Sequence, residues 1–497
     1  WTITIGLSAG VHSINAVQTD TTGNVSPASG NLSLTIDTSA SAPSAPDLDA
    51  DDDTGSSGSD NKTKNTSGLT FNGTSESNAA IRLYDGVTQL GATTADGFGN
   101  WTVDLSLSAG TYTIHAVQTD LAGNVSTASG TLSVTIDTSA AAPSVPDLDE
   151  ADDTGTSNSD NITSQTSGLT FSGTAEGEAA IEIFDGSTSI GTTNADGSGG
   201  WTIELSLTAG SHSISAVQTD PAGNTSSPSG SLSVTIDTTA PTVSIGTPSP
   251  SYINSAGTVD YPVTYTGADA INLTSGNVTV NHTGTASCTK TVLNGTSATP
   301  TVRLTNCSGD GTVDIAIAAG TSSDDAGNND TGDGTSTAFY VDNTDPVISS
   351  VAPADNATVN STLVSYTYSE ICATGSITWT RTGGSADSDH AQSLTGSELN
   401  AGAHNNITIA NNPTLIDGAI YSIDWDCTDR AGNVATTVGS TNVTYTDSAL
   451  AIVGAETMDT DNDGKIDTYR VAFNKSVDDD TFPGYSANSL GAVTSEW

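Results

Sequence analysis

The chain has 497 residues, 34% of them hydrophobic and 5% aromatic, and its 57 Asp and Glu against 10 Lys and Arg give a formal net charge of −47. Phosphate recognition needs clustered cations, and there is no Lys or Arg between Arg82 and Lys290, so nucleic acid is excluded as a partner and cations are implied instead. No apolar run approaches the roughly 18 residues of a membrane span, so no membrane contact is expected in this segment. Only ten of the acids are Glu. Asp in excess, with abundant Thr, Ser, Gly and Val, predicts strands joined by polar turns, an all-β fold.

The elements repeat at a period of 100 residues: Trp1, Trp101 and Trp201 are in register, as are the AVQTD strings ending at Asp20, Asp120 and Asp220 and the TIDT strings ending at Thr38, Thr138 and Thr238. Residues 1–37 therefore read as the C-terminal portion of a module, and a fragment of a longer protein is expected. Modules follow at 38–137 and 138–237. In the second, Trp201, Ile203, Leu205 and Leu207 alternate with polar residues, as do Leu232, Val234 and Ile236, which is the period of a half-buried strand. Turn signals at Asp185-Gly186, Asp196-Gly197, Ala209-Gly210 and Ala222-Gly223-Asn224 separate the runs. About seven short strands per module predict an antiparallel Greek-key β-sandwich.

Residues 238–342 and 343–446 lose the strict repeat but keep its punctuation, with Asp325-Ala-Gly-Asn328 and Asp429-Arg-Ala-Gly-Asn433 echoing Asp220-Pro-Ala-Gly-Asn224. They read as diverged sandwiches. Each holds two cysteines, Cys288 with Cys307 and Cys372 with Cys427; one disulfide per module is the simplest pairing and implies an oxidising compartment, the alternative being four buried thiols. The last segment, 447–497, reads as a partial β-domain that opens on Asp459-Thr-Asp461-Asn-Asp463-Gly464-Lys-Ile-Asp467. Alternating Asp side chains around a Gly turn predict a calcium loop. Its twelfth position is Arg470 rather than the Glu of an EF-hand, and its flanks read as strand, so a calcium clip in a β-protein is expected, completed by Asp478, Asp479 and Asp480.

A second candidate cation site is the acidic junction after each linker Pro: Asp47, Asp49, Asp52 and Asp53, repeated as Asp147, Asp149, Asp152 and Asp153. Crowded carboxylates repel, and a divalent ion would turn that repulsion into a cross-link; a solvated acidic loop is the competing reading. The Asp-x-Ala-Gly-Asn strings read as tight turns rather than ligands, because Asp and Asn bonding to nearby backbone and a Gly at positive φ are sufficient cause. His12 and His212 align with Tyr112, which argues against a catalytic or metal-binding role. No Ser/His/Asp grouping, zinc spacing, Walker loop or dinucleotide fingerprint is discernible, and no enzyme is predicted.

The run from PDLD (46–49, 146–149) through DDTG (52–55, 152–155), SDN (59–61, 159–161) and SGLTF (67–71, 167–171) to Trp-Thr, AVQTD, Ala-Gly-Asn and TIDT resembles the bacterial immunoglobulin-like domains arrayed in giant surface adhesins and biofilm-associated proteins. The resemblance implies tandem immunoglobulin-like Greek-key β-sandwiches in an extended array, with calcium as cofactor near the junctions. It also implies a cell-surface or secreted stalk for adhesion or biofilm formation, whose contacts with host or surface glycans or proteins would lie in domains outside this segment. The alternative is accessory spacers or carbohydrate-binding modules of a secreted polysaccharide-active enzyme.

Overall fold

Strand alternation and turn chemistry fold each module locally, and long-range pairing then closes it. The structure, a computed structural model, describes residues 1–447 and, beyond them, 452–460, 462, 464, 466, 468–473, 487–489 and 493–496. Among the described residues every element is a strand apart from two single 3-10 turns, Ser275–Asn277 and Gly396–Leu399. The chain divides into two compact units, Trp1–Ala240 with the turn Ser323–Asn328, and Pro241–Ser322 with Asn329–Trp497.

In the first unit, module 38–137 packs a three-stranded sheet (Asp47–Leu48, Leu69–Thr74, Asn100–Leu105) on a five-stranded one (Lys62–Thr63, Leu132–Ile136, Gly110–Thr119, Ala80–Asp85, Thr88–Thr94). All pairs are antiparallel except Lys62–Thr63, which runs parallel to Leu132–Ile136. The inward phase of each strand supplies the core: Leu69, Phe71, Ile81, Leu83, Trp101, Ile114, Ala116 and Val134 are all buried. Module 138–237 repeats the arrangement around Leu169, Phe171, Ile181, Ile183 and Trp201. The Trp ring lies across the neighbouring strand, where a Cβ on Gly73 or Gly173 would come within 2.4 Å of it. Glycine is required there by close approach. Residues 1–37 form the antiparallel pair Gly10–Ile14 with Leu32–Ile36 and the antiparallel bridge of Thr19 with Val25.

In the second unit, residues 238–342 form two four-stranded sheets around Tyr261, Val302, Ile315 and Phe339. Residues 343–446 form sheets of three and five strands around Trp379, Tyr421, Trp425 and Tyr366. Cys288 is bonded to Cys307 and Cys372 to Cys427, one disulfide in each. Each links neighbouring strands of one module. Beyond residue 447 the described strands Ile452–Met458, Thr468–Phe473, Val493–Glu496 and Ala487–Ser489 form one antiparallel sheet.

Candidate metal centre

The polar chemistry of this molecule concentrates at the junctions between modules, and it is built from the turn the sequence made look plainest. In module 38–137 the Asp120 carboxylate accepts the Asn124 backbone N–H and the Asn124 side-chain amide, both at 2.8 Å. Gly123 sits at φ 94° between them. Those bonds, the Asn124 amide foremost, hold the Asp120 carboxyl below the ordinary range. The same Asn124 amide donates to the backbone carbonyl of Asp37, the last Asp before the linker, at 3.1 Å. Each Asp-x-Ala-Gly-Asn turn thus clasps the end of the preceding module. Asn224 binds the Asp137 carbonyl at 2.9 Å, Asn328 that of Asp237 at 2.8 Å and Asn433 that of Asp342 at 2.8 Å. In the turn ending at Asn328 the capping acid is Asp324, not Asp325.

This clasp brings carboxylates together. Asp37, Glu76 and Asp120 each offer an oxygen within 4.8 Å of the others, and so do Asp137, Glu176 and Asp220, and Asp342, Glu370 and Asp429. Three converging carboxylates are the donor set of a hard, oxygen-seeking cation such as calcium. The crowding has an electrostatic signature at the third group: burial, and then the charges of Asp342 and Asp429, push the Glu370 carboxyl above its ordinary range. Burial does the same to Asp342, with Asp429 and Asp310 adding to it.

Sequence reasoning missed the glutamates and their brace. Gln118 and Gln218, the third residue from the end of each AVQTD string, lie in the inward phase of their strands and are buried. The Gln218 carbonyl accepts Glu176 N–H at 2.8 Å, while its amide donates to the Ala141 carbonyl at 2.6 Å and to Glu176 Oε1 at 3.0 Å. Gln118 joins Glu76 N–H to the Ser41 carbonyl in the same way. A polar side chain at a buried phase must find partners, and that was the available signal.

The sequence-predicted junction acids are distributed differently. Asp47 and Asp147 are exposed at strand starts. Asp49 and Asp149 cap the N–H groups of Asp51 and Ala151 at 3.0 and 2.9 Å. Asp52 and Asp152 accept the N–H of Thr70 and Thr170 at 2.7 and 2.8 Å. Asp53 and Asp153 are buried. No three of these carboxylates converge among the described residues. Of the Asp459 loop, Asp461, Asp463 and Asp467 lie outside the described residues, as do Asp478, Asp479 and Asp480; Asp459 accepts the Gly464 N–H at 2.9 Å.

The loop that carries Asp53 has a second role. Thr54 Oγ1 donates to the Ala222 carbonyl of the next module at 2.7 Å, and Lys64 Nζ to the Gly223 carbonyl at 2.8 Å. Gly55, at φ 103°, lies so close that a Cβ would stand 2.0 Å from the Pro221 carbonyl oxygen. One module on, Thr154 donates to the Ala326 carbonyl at 2.8 Å. In the second unit the turn residue Arg430 lies over the Tyr252 ring at 5.7 Å.

Residues 39–138 and 139–238 each match the family of bacterial Ig-like domains. Among solved structures, a tetra-tandem repeat from the extending region of a large adhesion protein is 19% identical at a TM-score of 0.32, covering 78% of this chain and 97% of that one. The BSP domain of a biofilm associated protein is 12% identical at 0.23, covering 84% and 99%. Fibronectin(III)-like modules of Clostridium thermocellum CbhA are 16% identical at 0.23, covering 39% and 94%. No curated protein matches the chain.

Proposed function

For a chain whose residues 39–138 and 139–238 match bacterial Ig-like domains in tandem, we propose a structural role: a stalk segment of a cell-surface or secreted bacterial adhesin, stiffened by calcium at its junctions and presenting a distal domain for adhesion or biofilm formation. One observation carries the reading. The same trio of linker Asp, entry Glu and turn Asp recurs at three junctions, always beside an Asn amide bound to the linker carbonyl. Three like charges held together by the fold repel one another until a cation neutralises them, and the neutralised group then ties linker to module. The −47 net charge raises the local concentration of cations along the whole surface. The two disulfides accord with an extracytoplasmic setting.

A carbohydrate-binding platform would expose clustered aromatic rings. The stacked pair Tyr252 and Tyr340, 4.7 Å apart, is partly covered by Arg430 and serves the junction instead. Calcium should bind with the weak affinity of extracellular modules, a Kd of about 10⁻⁴ to 10⁻³ M. Titrating calcium into the chelated protein should raise its melting temperature and lengthen the particle in small-angle scattering, and Glu76→Gln, Glu176→Gln and Glu370→Gln together should abolish most of both changes. Identical scattering and melting with chelator and with millimolar-range calcium would refute the reading.

A further inference from the structure

Equivalent positions of the two strict repeats carry opposite charges. Strand Ala80–Asp85 reads AIRLYD and strand Ala180–Asp185 reads AIEIFD, so Arg82 stands where the next module has Glu182. Both side chains are exposed, in the outward phase between the buried pairs Ile81 and Leu83, and Ile181 and Ile183. Their backbone settings match: Arg82 lies opposite Ala92 and Val117, and Glu182 opposite Thr192 and Val217. Among the described residues neither makes a hydrogen bond or an ion pair. Only three Lys or Arg precede Lys290. Lys62 and Lys64 are engaged by the next module, at Glu178 and at the Gly223 carbonyl, and Arg82 is left over.

The rest of each face suits a protein partner. Next to Arg82 in the same phase, Tyr84 is stacked on His115, their ring centres 5.7 Å apart; the matching positions hold Phe184, half-buried, and Ser215. Arg and Tyr side by side on a sheet face are the residues that protein interfaces favour. On the other module, Glu182 lines a depression of about 300 Å³ together with Thr192, Asn194 and Thr219. That is room for a guanidinium, whose planar fork of donors matches a carboxylate.

We propose that this chain self-associates, the five-stranded sheet face of module 38–137 in one copy docking on that of module 138–237 in a second copy, with Arg82 against Glu182. Such a face is about 24 Å wide and, along a six-residue strand, about 20 Å long, roughly 500 Å² on each side and the size of a weak, transient interface. The net charge of −47 opposes the encounter at long range, but salt screens it beyond about 8 Å, whereas the paired charges meet in contact. The contact goes beyond the stalk reading and does not depend on it.

Sedimentation of the whole chain at fixed salt and calcium, up to about 1 mM chain, tests this. The weight-average mass should rise with concentration above that of the monomer. Arg82→Glu takes the net charge from −47 to −49 and Glu182→Arg takes it to −45, since each reversal moves two charges. Both should weaken association about tenfold or more, because each sets like charges opposite one another. The double variant, again at −47, should restore it. Each substitution installs the residue that the other module carries at that position, so folding should be kept, and unchanged melting temperatures check this. A chain that stays monomeric over the whole range, or single variants that associate as the unaltered chain does, would overturn the proposal. So would single variants that shift association in opposite directions, as net charge alone would make them, or a response to Arg82→Glu alone, which would put the partner surface elsewhere.

Discussion

At the scale of the residue, position 12 of the repeat shows how one geometry accepts two chemistries. Tyr112 Oη donates to the Ser108 carbonyl at 2.9 Å, and the ring nitrogen Nε2 of His12 and of His212 lies 2.8 Å from the carbonyl of Ser8 and of Thr208. The alternation of His with Tyr thus reflects a shared reach to the carbonyl four residues back. His212 differs by a second contact, its Nδ1 lying 2.7 Å from Asp185 Oδ2. With an acceptor at each nitrogen, both must donate, which is the protonated ring. Burial opposes that charge, and the bonds to Asp185 and Thr208 outweigh it, raising the His212 pKa above 6.5; the same bond holds Asp185 low. A group whose pKa rises on folding stabilises the fold below its unfolded value and loses that contribution as pH rises through the folded value. His212 should therefore titrate above the ordinary histidine value by NMR, Asp185→Asn should bring it down, and the pair's contribution to stability should fade as pH climbs through the raised value. A His212 that titrates at the same pH in both proteins would refute this.

At the scale of the element, strands were legible because their signal is local: Trp201, Ile203 and Leu205 alternate in the sequence and lie inward or half inward in the strand Gly200–Leu205. The Trp contributes by volume. Trp201 Nε1 is buried without a protein acceptor, as are those of Trp101, Trp379 and Trp425, so the indole brings no hydrogen bond to the core. Trp201→Phe should consequently cost only about 1–2 kcal/mol, whereas Trp201→Ala, which empties the space against Gly173, should cost about 3–5 kcal/mol by denaturant unfolding. Equal losses in the two variants would mean that the N–H matters after all. The Asp-x-Ala-Gly-Asn element was half legible. Its turn geometry follows from Asp, Gly and Asn alone, but the Asn amide that leaves the turn for the preceding linker is tertiary.

At the scale of the whole molecule, the junctions are not equivalent. Asn328 clasps the Asp237 carbonyl at 2.8 Å, yet no third carboxylate converges on Asp324 among the described residues. Calcium should therefore slow hydrogen exchange at the turns around Asp120, Asp220 and Asp429 and leave residues 324–328 nearly unchanged. Equal protection at all four turns would show that the clasp, not the carboxylate trio, responds to the ion. The sequence by itself determined the period, the all-β modules in tandem and the turn chemistry, since each depends on neighbours in the chain or on composition. Only the tertiary structure decided which acids meet. Asp37, Glu76 and Asp120 are brought within 4.8 Å by strand register, by the linker path and by a buried Gln, and no local pattern encodes such convergence. Among the acids at 47–53, Asp49 accepts the N–H of Asp51 two residues on, whereas Asp52 accepts that of Thr70 from 18 residues away, so nearness in sequence does not tell which carboxylates share a partner.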